Sequence, residues 1–297
     1  MDNPALERVG IIGWGLVGSA IGKRLIESGV SVLGYDIDPV RRADLAAAGG
    51  VPCDSLRAVA QGAAFLVVAL FSSDQVVQAL TGPDGVLGFG GHTIVDVTTA
   101  DPADSVHLAT ALAAAGLSYL DAPLSGSSDD IRRGNGVFLV GGARDAYQHC
   151  ADLFARVAGQ ALYVGDSGSG SRAKLATNLV LGLNRAALAE GLVFAESLGI
   201  DASRFLSIVR QTAAYSRAVD SKGEKLVHRD FSPHSRVSQH RKDLDVITRY
   251  AALAGVELPL GAVHRQLLIE AEGAGWGDLD TAAVLRAIEA RRGTPGD

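Results

Sequence analysis

The stretch Val9-Gly10-Ile11-Ile12-Gly13-Trp14-Gly15-Leu16-Val17-Gly18-Ser19-Ala20-Ile21-Gly22 decides how the chain begins to fold. A short apolar run of strand character meets three glycines spaced G-x-G-x-x-G, and a helical pattern follows through Arg24 and Leu25. That order suits a dinucleotide pyrophosphate. Gly13 permits the tight turn, Gly15 lets the backbone approach the phosphates, and Gly18 lets helix and strand pack closely. Trp14, Leu16 and Val17 complete this cofactor-binding turn. The helix N-terminus adds unpartnered N–H groups and the positive end of a dipole.

A second strand, 31–35, leads to Asp36, about 20 residues beyond the first glycine, the spacing of the acid that binds the ribose hydroxyls. A carboxylate there accepts a bond from a 2′-hydroxyl and repels a 2′-phosphate, so NAD is expected rather than NADP. Arg41 and Arg42, a turn further on, could soften that rejection; they read more simply as solvated helix residues.

Outward from this unit, short apolar runs alternate with helical patterns up to about residue 165. Strands are expected over 9–12, 31–35, 65–70, 93–97, 117–121, 137–140 and 162–164, with helices over 39–48, 74–80, 102–115 and 146–157. The pattern predicts an α/β Rossmann domain, a mostly parallel sheet covered on both faces. After the polar punctuation Asp166-Ser167-Gly168-Ser169-Gly170-Ser171 the alternation stops. A long helix over 173–198 and further helices over 202–212, 236–254, 261–272 and 280–291 predict an all-α C-terminal part. The expected division is a dinucleotide-binding domain over 1–165, an interdomain helix over 166–194 and a helical domain over 195–297. A ligand cleft is expected between the two domains, beyond the C-terminal ends of the strands.

At 297 residues the chain can bury a sizeable core in two domains. Its net charge of −6 argues against a nucleic-acid or acidic-membrane partner. Cys53 and Cys150 have no metal-ligand spacing and read as small buried hydrophobes in a reducing compartment; no metal is expected. The apolar N-terminal run lies behind Asp2, Glu7 and Arg8 and is broken by glycines, unlike a signal peptide. No uncharged apolar run reaches the roughly 20 residues of a membrane span. A cytoplasmic protein is expected.

Three strand ends carry polar residues: Ala69 to Asp74, Asp96 to Pro102, and the serine-rich turn from Asp121 to Ser128. Each reads equally well as helix capping or turn chemistry. Lys174 and Asn178 lie four apart, on one face at the start of the long helix. Leu175, Ala176, Leu179 and Val180 surround them, so the lysine must either snorkel to water or use its charge.

With these motifs in order, the chain resembles the β-hydroxyacid dehydrogenases of the 3-hydroxyisobutyrate dehydrogenase family over nearly its whole length. The fingerprint corresponds to Gly13-Trp14-Gly15-Leu16-Val17-Gly18, and the substrate motif resembles Asp121-Ala122-Pro123-Leu124-Ser125-Gly126. The catalytic motif resembles Gly168-Ser169-Gly170-Ser171-Arg172-Ala173-Lys174 with Asn178 one turn on, and the C-terminal lysine motif resembles Lys242-Asp243-Leu244. The resemblance implies Lys174 as acid/base, Asn178 holding substrate and lysine geometry, and Ser125, Gly126 and Ser127 binding the substrate carboxylate. It implies that Leu70, Phe71 and Thr99 line the cofactor, that Lys242 closes over cofactor or substrate, and that the protein is a homodimer or homotetramer. The implied reaction moves a hydride between the nicotinamide and a small 3-hydroxy acid or its semialdehyde.

Departures from the family pattern bear on the substrate. Ser127 stands where a second glycine is usual, Asp130-Ile131 where Gly-Ala is usual, Asn135-Gly136 where Thr-Leu is usual, and Thr177 where Asn is common. Extra hydroxyls from Ser127 and Ser128 would suit a polyhydroxylated or otherwise polar acid. Arg132 and Arg133 could meet a second anionic group, although they read more simply as solvated helix residues. Two rivals are an imine reductase on the same scaffold and a non-catalytic nucleotide-binding relative. Both generally lack the lysine, so Lys174 counts against them.

Overall fold

The computed structural model describes residues 6–89 and 91–292. The chain divides between Lys174 and Leu175, within the long helix, into two compact units.

In the first unit the order is β1 (Arg8–Ile12), α1 (Leu16–Glu27), β2 (Ser31–Tyr35), α2 (Pro39–Ala47), β3 (Val51–Pro52), α3 (Leu56–Gly62), β4 (Phe65–Val68) and α4 (Ser73–Thr81). There follow β5 (Thr93–Asp96), α5 (Pro102–Ala114), β6 (Ser118–Asp121), β7 (Leu124–Ser125) and α6 (Ser128–Arg132). The unit closes with β8 (Val137–Gly142), α7 (Arg144–His149), α8 (Ala151–Val157), β9 (Gln160–Gly165) and the start of α9 (Ser169–Ser197).

Among the described residues one sheet runs in the order β3-β2-β1-β4-β5-β6-β8-β7, with β9 on β8. From β3 to β6 every pairing is parallel. β8 runs antiparallel to both β6 and β7, because the short β7–α6 excursion turns the chain back without a crossover. The sheet has two buried faces because side chains alternate along each strand. Val9, Ile11, Val67 and Val95 enter one core cluster, whereas Ile12, Leu66, Val68 and Ile94 enter another. Helix starts are fixed locally: Asp38, Ser55, Ser72 and Asp101 each accept a first-turn N–H, and Pro39 and Pro102 open α2 and α5. α3, α6, β3 and β7, all seven residues or shorter, are too short to leave a periodicity in the sequence.

The second unit contains the rest of α9, then α10 (Ala202–Arg210), α11 (Arg217–Val227), α12 (Val237–Leu253), α13 (Pro259–Ala271), a 3-10 turn Thr281–Ala283 and α14 (Val284–Glu289). Leu188, Leu192, Leu206, Leu226, Leu244, Leu268 and Leu285 share its core. α11 was not expected, since Arg217, Asp220, Lys222, Glu224 and Lys225 mask its apolar stripe. Lys222 is buried, and its Nζ donates to both Asp280 carboxylate oxygens at 2.6 and 2.8 Å. α9 is long and apolar enough, by length and composition alone, to cross a membrane. It nevertheless carries Arg172, Lys174, Arg185, Glu190 and Glu196, and it places Leu175, Leu188 and Leu192 in the second unit's core.

Candidate active site

Because β1, β2, β4, β5 and β6 are parallel, the residues that follow them share one edge of the sheet, their C-terminal ends. Gly13, Asp36, Leu70 with Phe71, Thr99 and Asp121 are therefore brought together there. The strand order reverses between β1 and β4, the position at which open α/β sheets bind dinucleotides.

The three glycines have different surroundings. Gly13 has φ +94°, and a Cβ on it would stand 2.4 Å from the Ala69 carbonyl oxygen. A Cβ on Gly18 would lie 1.9 Å from the Gly13 carbonyl oxygen. Gly15 is open: its Cβ position meets only Arg41 Nη1 at 3.7 Å. Gly15 is also the N-cap of α1, with no side chain capping that end. Two glycines thus close the turn, and the third leaves an uncapped helix end accessible, with Leu16 and Val17 in its first turn. These residues fit a dinucleotide pyrophosphate.

Asp36 is buried and already holds the turn. It accepts the Trp14 N–H at 2.7 Å and the Asp38 N–H at 2.9 Å, and a carboxylate has capacity left for ribose hydroxyls. Arg41 Nη1 donates to Asp36 Oδ2 at 3.4 Å, and Arg42 Nη1 to the Asp36 carbonyl at 2.6 Å. Both arginines are therefore tied to Asp36 rather than solely solvated. The Trp14 indole is buried, with its Nε1 donating to Asp44 at 2.8 Å; what Trp14 offers the turn is its backbone. The Leu70 N–H donates to Thr98 Oγ1 at 3.1 Å, and the Phe71 N–H to Gln75 at 3.0 Å, so the ends of β4 and β5 are cross-tied. Beneath them Asp96 is fully buried and accepts the Thr98 N–H and the Tyr119 hydroxyl. Burial pushes its carboxyl up to about 6, against the opposing pull of those bonds.

Lys174 is buried near the start of α9, and its Nζ donates to the Leu124 carbonyl at 2.6 Å. Leu124 immediately precedes Ser125 and Gly126, so the ammonium stands beside the serine–glycine turn. Gly126 takes φ +138° there. Ser127 is engaged locally: its N–H and hydroxyl both donate to Asp130 Oδ2, and its Oγ accepts the Asp130 N–H, a closed capping box on α6. The departures Ser127 and Asp130 are thus a matched pair. Arg132 pairs with Glu27, and Arg133 with Asp129.

Within the second unit, Asn178 Nδ2 donates to Asp243 Oδ2 at 3.0 Å, and Lys242 Nζ lies 3.2 Å from Asp243 Oδ1. Asn178 and Asp243 are both buried. Asp243 therefore links two expected site residues, a link that only the KDL motif hinted at. Sequence reasoning also left Asp121 without a role, although it is buried and accepts the Gly168 and Ser171 N–H groups at 2.8 Å each.

Comparison with known proteins places the chain in a family. Residues 8–165 match the family described as the NAD binding domain of 6-phosphogluconate dehydrogenase. Residues 168–288 match the one described as NAD-binding of NADP-dependent 3-hydroxyisobutyrate dehydrogenase. The chain is 28% identical to 2-(hydroxymethyl)glutarate dehydrogenase of Eubacterium barkeri, over 96% of each chain. It is 31% identical to L-threonate dehydrogenase of Escherichia coli K12, over 94% of this chain and 93% of that one. The solved 3-hydroxyisobutyrate dehydrogenase from Salmonella typhimurium superposes with a TM-score of 0.86 at 29% identity, over 94% of this chain and 99% of that one.

Proposed function

Since the chain belongs to the β-hydroxyacid dehydrogenase family, a family of NAD(P)-dependent oxidoreductases, we propose that it interconverts a small 3-hydroxy acid and the matching semialdehyde, with Lys174 as general acid/base. The observation that carries this reading is the Lys174 ammonium 2.6 Å from the Leu124 carbonyl, next to Ser125 and Gly126, at the sheet edge that holds Gly13, Gly15 and Asp36. A bound nicotinamide cofactor supplies or accepts the hydride. In reduction, Lys174 Nζ gives a proton to the carbonyl oxygen of the substrate; in oxidation, the neutral amine takes the hydroxyl proton. Ser125 and Gly126 hold the substrate carboxylate and so set which face of the reacting carbon is presented. Asn178, one turn further along α9, orients the substrate, and Asp243 fixes its amide. Ser127 closes the turn through Asp130 and keeps one Oγ lone pair that can accept a substrate hydroxyl beside Ser125 and Gly126.

NAD is favoured over NADP in this reading, because the Asp36 carboxylate repels a 2′-phosphate. Arg41, already on that carboxylate, narrows the margin. The proposal extends to a homo-oligomer, supported by exposed Val180 and Phe194 on α9, Leu198 just past its end, and Leu260 and Val263 on α13. The test is turnover on a panel of 3-hydroxyisobutyrate, L-threonate and 2-(hydroxymethyl)glutarate with either cofactor, in parent and Lys174→Ala. The variant should lose about two or more powers of ten in kcat while binding NADH within twofold of the parent. Near-parental turnover would remove the lysine from the reaction.

A further inference from the structure

The start of α9 is held by a residue that comes from elsewhere in the chain. Asp121, at the end of β6, spreads its two carboxylate oxygens over the first turn: Oδ1 accepts the Gly168 N–H and Oδ2 the Ser171 N–H, each at 2.8 Å. The fit leaves no slack. A Cβ on Gly170 would lie 2.2 Å from the Asp121 carbonyl oxygen and 3.0 Å from its Oδ2, and a Cβ on Gly141 would lie 2.6 Å from its Oδ1. Behind this turn, Ser171 Oγ meets Ser105 Oγ of α5 at 3.0 Å, and both serines are fully buried.

The register of these contacts connects the carboxylate to the ammonium. Asp121 grips Ser171, and three residues along each segment Leu124 accepts from Lys174. The strand end and the helix start are thus joined by two bonds set three residues apart on both sides. Gly168, which precedes α9, has no side chain to accept a first-turn N–H, so that acceptor must come from elsewhere. A buried carboxylate that accepts two N–H groups at a helix N-terminus supplies that fixation, and those bonds oppose the burial that pushes the Asp121 carboxyl above its ordinary range.

We propose that Asp121 is a positioning residue for the reaction, holding the first turn of α9 so that Lys174 Nζ stays at the Leu124 carbonyl beside the substrate turn. It touches neither substrate nor cofactor and acts through Lys174. This rests on the lysine reading above, and the test separates the two. On the fastest substrate of the panel, kcat, KM and the Kd for NADH are measured for the parent, Asp121→Asn, Lys174→Ala and the double variant. Asparagine keeps one acceptor of the two. Asp121→Asn should lower kcat about tenfold, leave the NADH Kd within twofold, and lower kcat no further when Lys174 is already alanine.

An equal loss of kcat in both backgrounds would overturn the proposal, because the carboxylate would then act independently of the lysine. Unchanged kcat in Asp121→Asn would overturn it as well. Lys174→Ala alone reports on the lysine reading. Should Asp121→Asn fail to fold, Ser171→Ala takes its place in the same cycle. That change removes the Ser171 hydroxyl, which bonds the Asp121 carboxylate as well as Ser105, and so loosens the grip without touching the carboxylate. A several-fold loss of kcat confined to the Lys174 background supports the proposal, and either no loss or an equal loss in both backgrounds overturns it.

Discussion

Alanine at Gly15 and alanine at Gly18, three positions apart, should give opposite phenotypes. At Gly18 the new methyl would sit 1.9 Å from the Gly13 carbonyl oxygen and 3.2 Å from Ala69 Cβ. Neither neighbour is the end of a flexible side chain, so α1 must move off the turn. Overpacking of this kind costs about 1–3 kcal/mol or somewhat more. At about 2–4 °C per kcal/mol for a unit of this size, the Tm should fall by roughly 5–10 °C. At Gly15 φ is −76° and the nearest atom is Arg41 Nη1 at 3.7 Å, an ordinary contact. The fold should therefore lose no more than about 1 kcal/mol, the scale of an altered N-cap. The methyl would instead stand where phosphate oxygens approach the N–H groups of α1. Losing one charge-assisted bond, about 1.5–3 kcal/mol, weakens NADH binding by roughly 10- to 150-fold. Thermal melts without cofactor and fluorescence titration with NADH separate the two effects. A Gly15→Ala protein that melts as low as Gly18→Ala, or that binds NADH as tightly as the parent, would refute the division of labour among the glycines.

Cofactor choice gives a second test. The kcat/KM ratio of NADH to NADPH should exceed one, and Arg41→Ala should widen it by removing the guanidinium 3.4 Å from Asp36 Oδ2. A parent enzyme that prefers NADPH would refute the role given to Asp36. A third concerns His264, whose Nε2 lies 3.2 Å from that of His240. Burial, with the Arg185 charge adding to it, pushes its imidazole from the ordinary 6.5 down to about 4. The unfolded chain therefore takes up the proton first, and the fold loses stability as pH falls from about 6.5 to about 4, at up to about 1.4 kcal/mol per unit. Asp96, pushed up to about 6, acts in the opposite sense over much of that window. The readout is accordingly the difference in urea midpoint between the parent and His264→Gln, which should shrink towards acid pH; a constant difference would refute it.

The parallel half of the sheet is legible because β1, β2, β4 and β5 are short apolar runs with β-branched residues, set between longer helical patterns. The reversal at β8 left no such mark, since its Val137-Phe138-Leu139-Val140 run looks the same in either direction. α11 was hidden by charge, because Lys222 is a core residue only when Asp280, distant in sequence, is there to meet it. At the candidate site, Gly13, Gly15, Gly18 and Asp36 are legible from local spacing, whereas Lys174 and Asn178 stand out only as part of the family motifs. Ser127 shows the limit: the motif marks its hydroxyl, whereas the capping box it closes with Asp130, three residues on, shows only in the structure. Asp121 shows the same limit from the other side, since its partners lie near Gly168, far along the chain.

Asp280 has a consequence for how the second unit comes apart. Its carboxylate receives the Lys222 ammonium from α11, the His234 and Ser235 N–H groups that precede α12, and the Ala282 N–H of the turn before α14. Three stretches of chain thus converge on one anion in a dry interior, where a severed contact strands the others without water to replace them. Such a knot resists piecemeal fraying. A protease attacking the tail of this region would find few partly opened forms to cut, and the helices around the knot should melt as a single cooperative block.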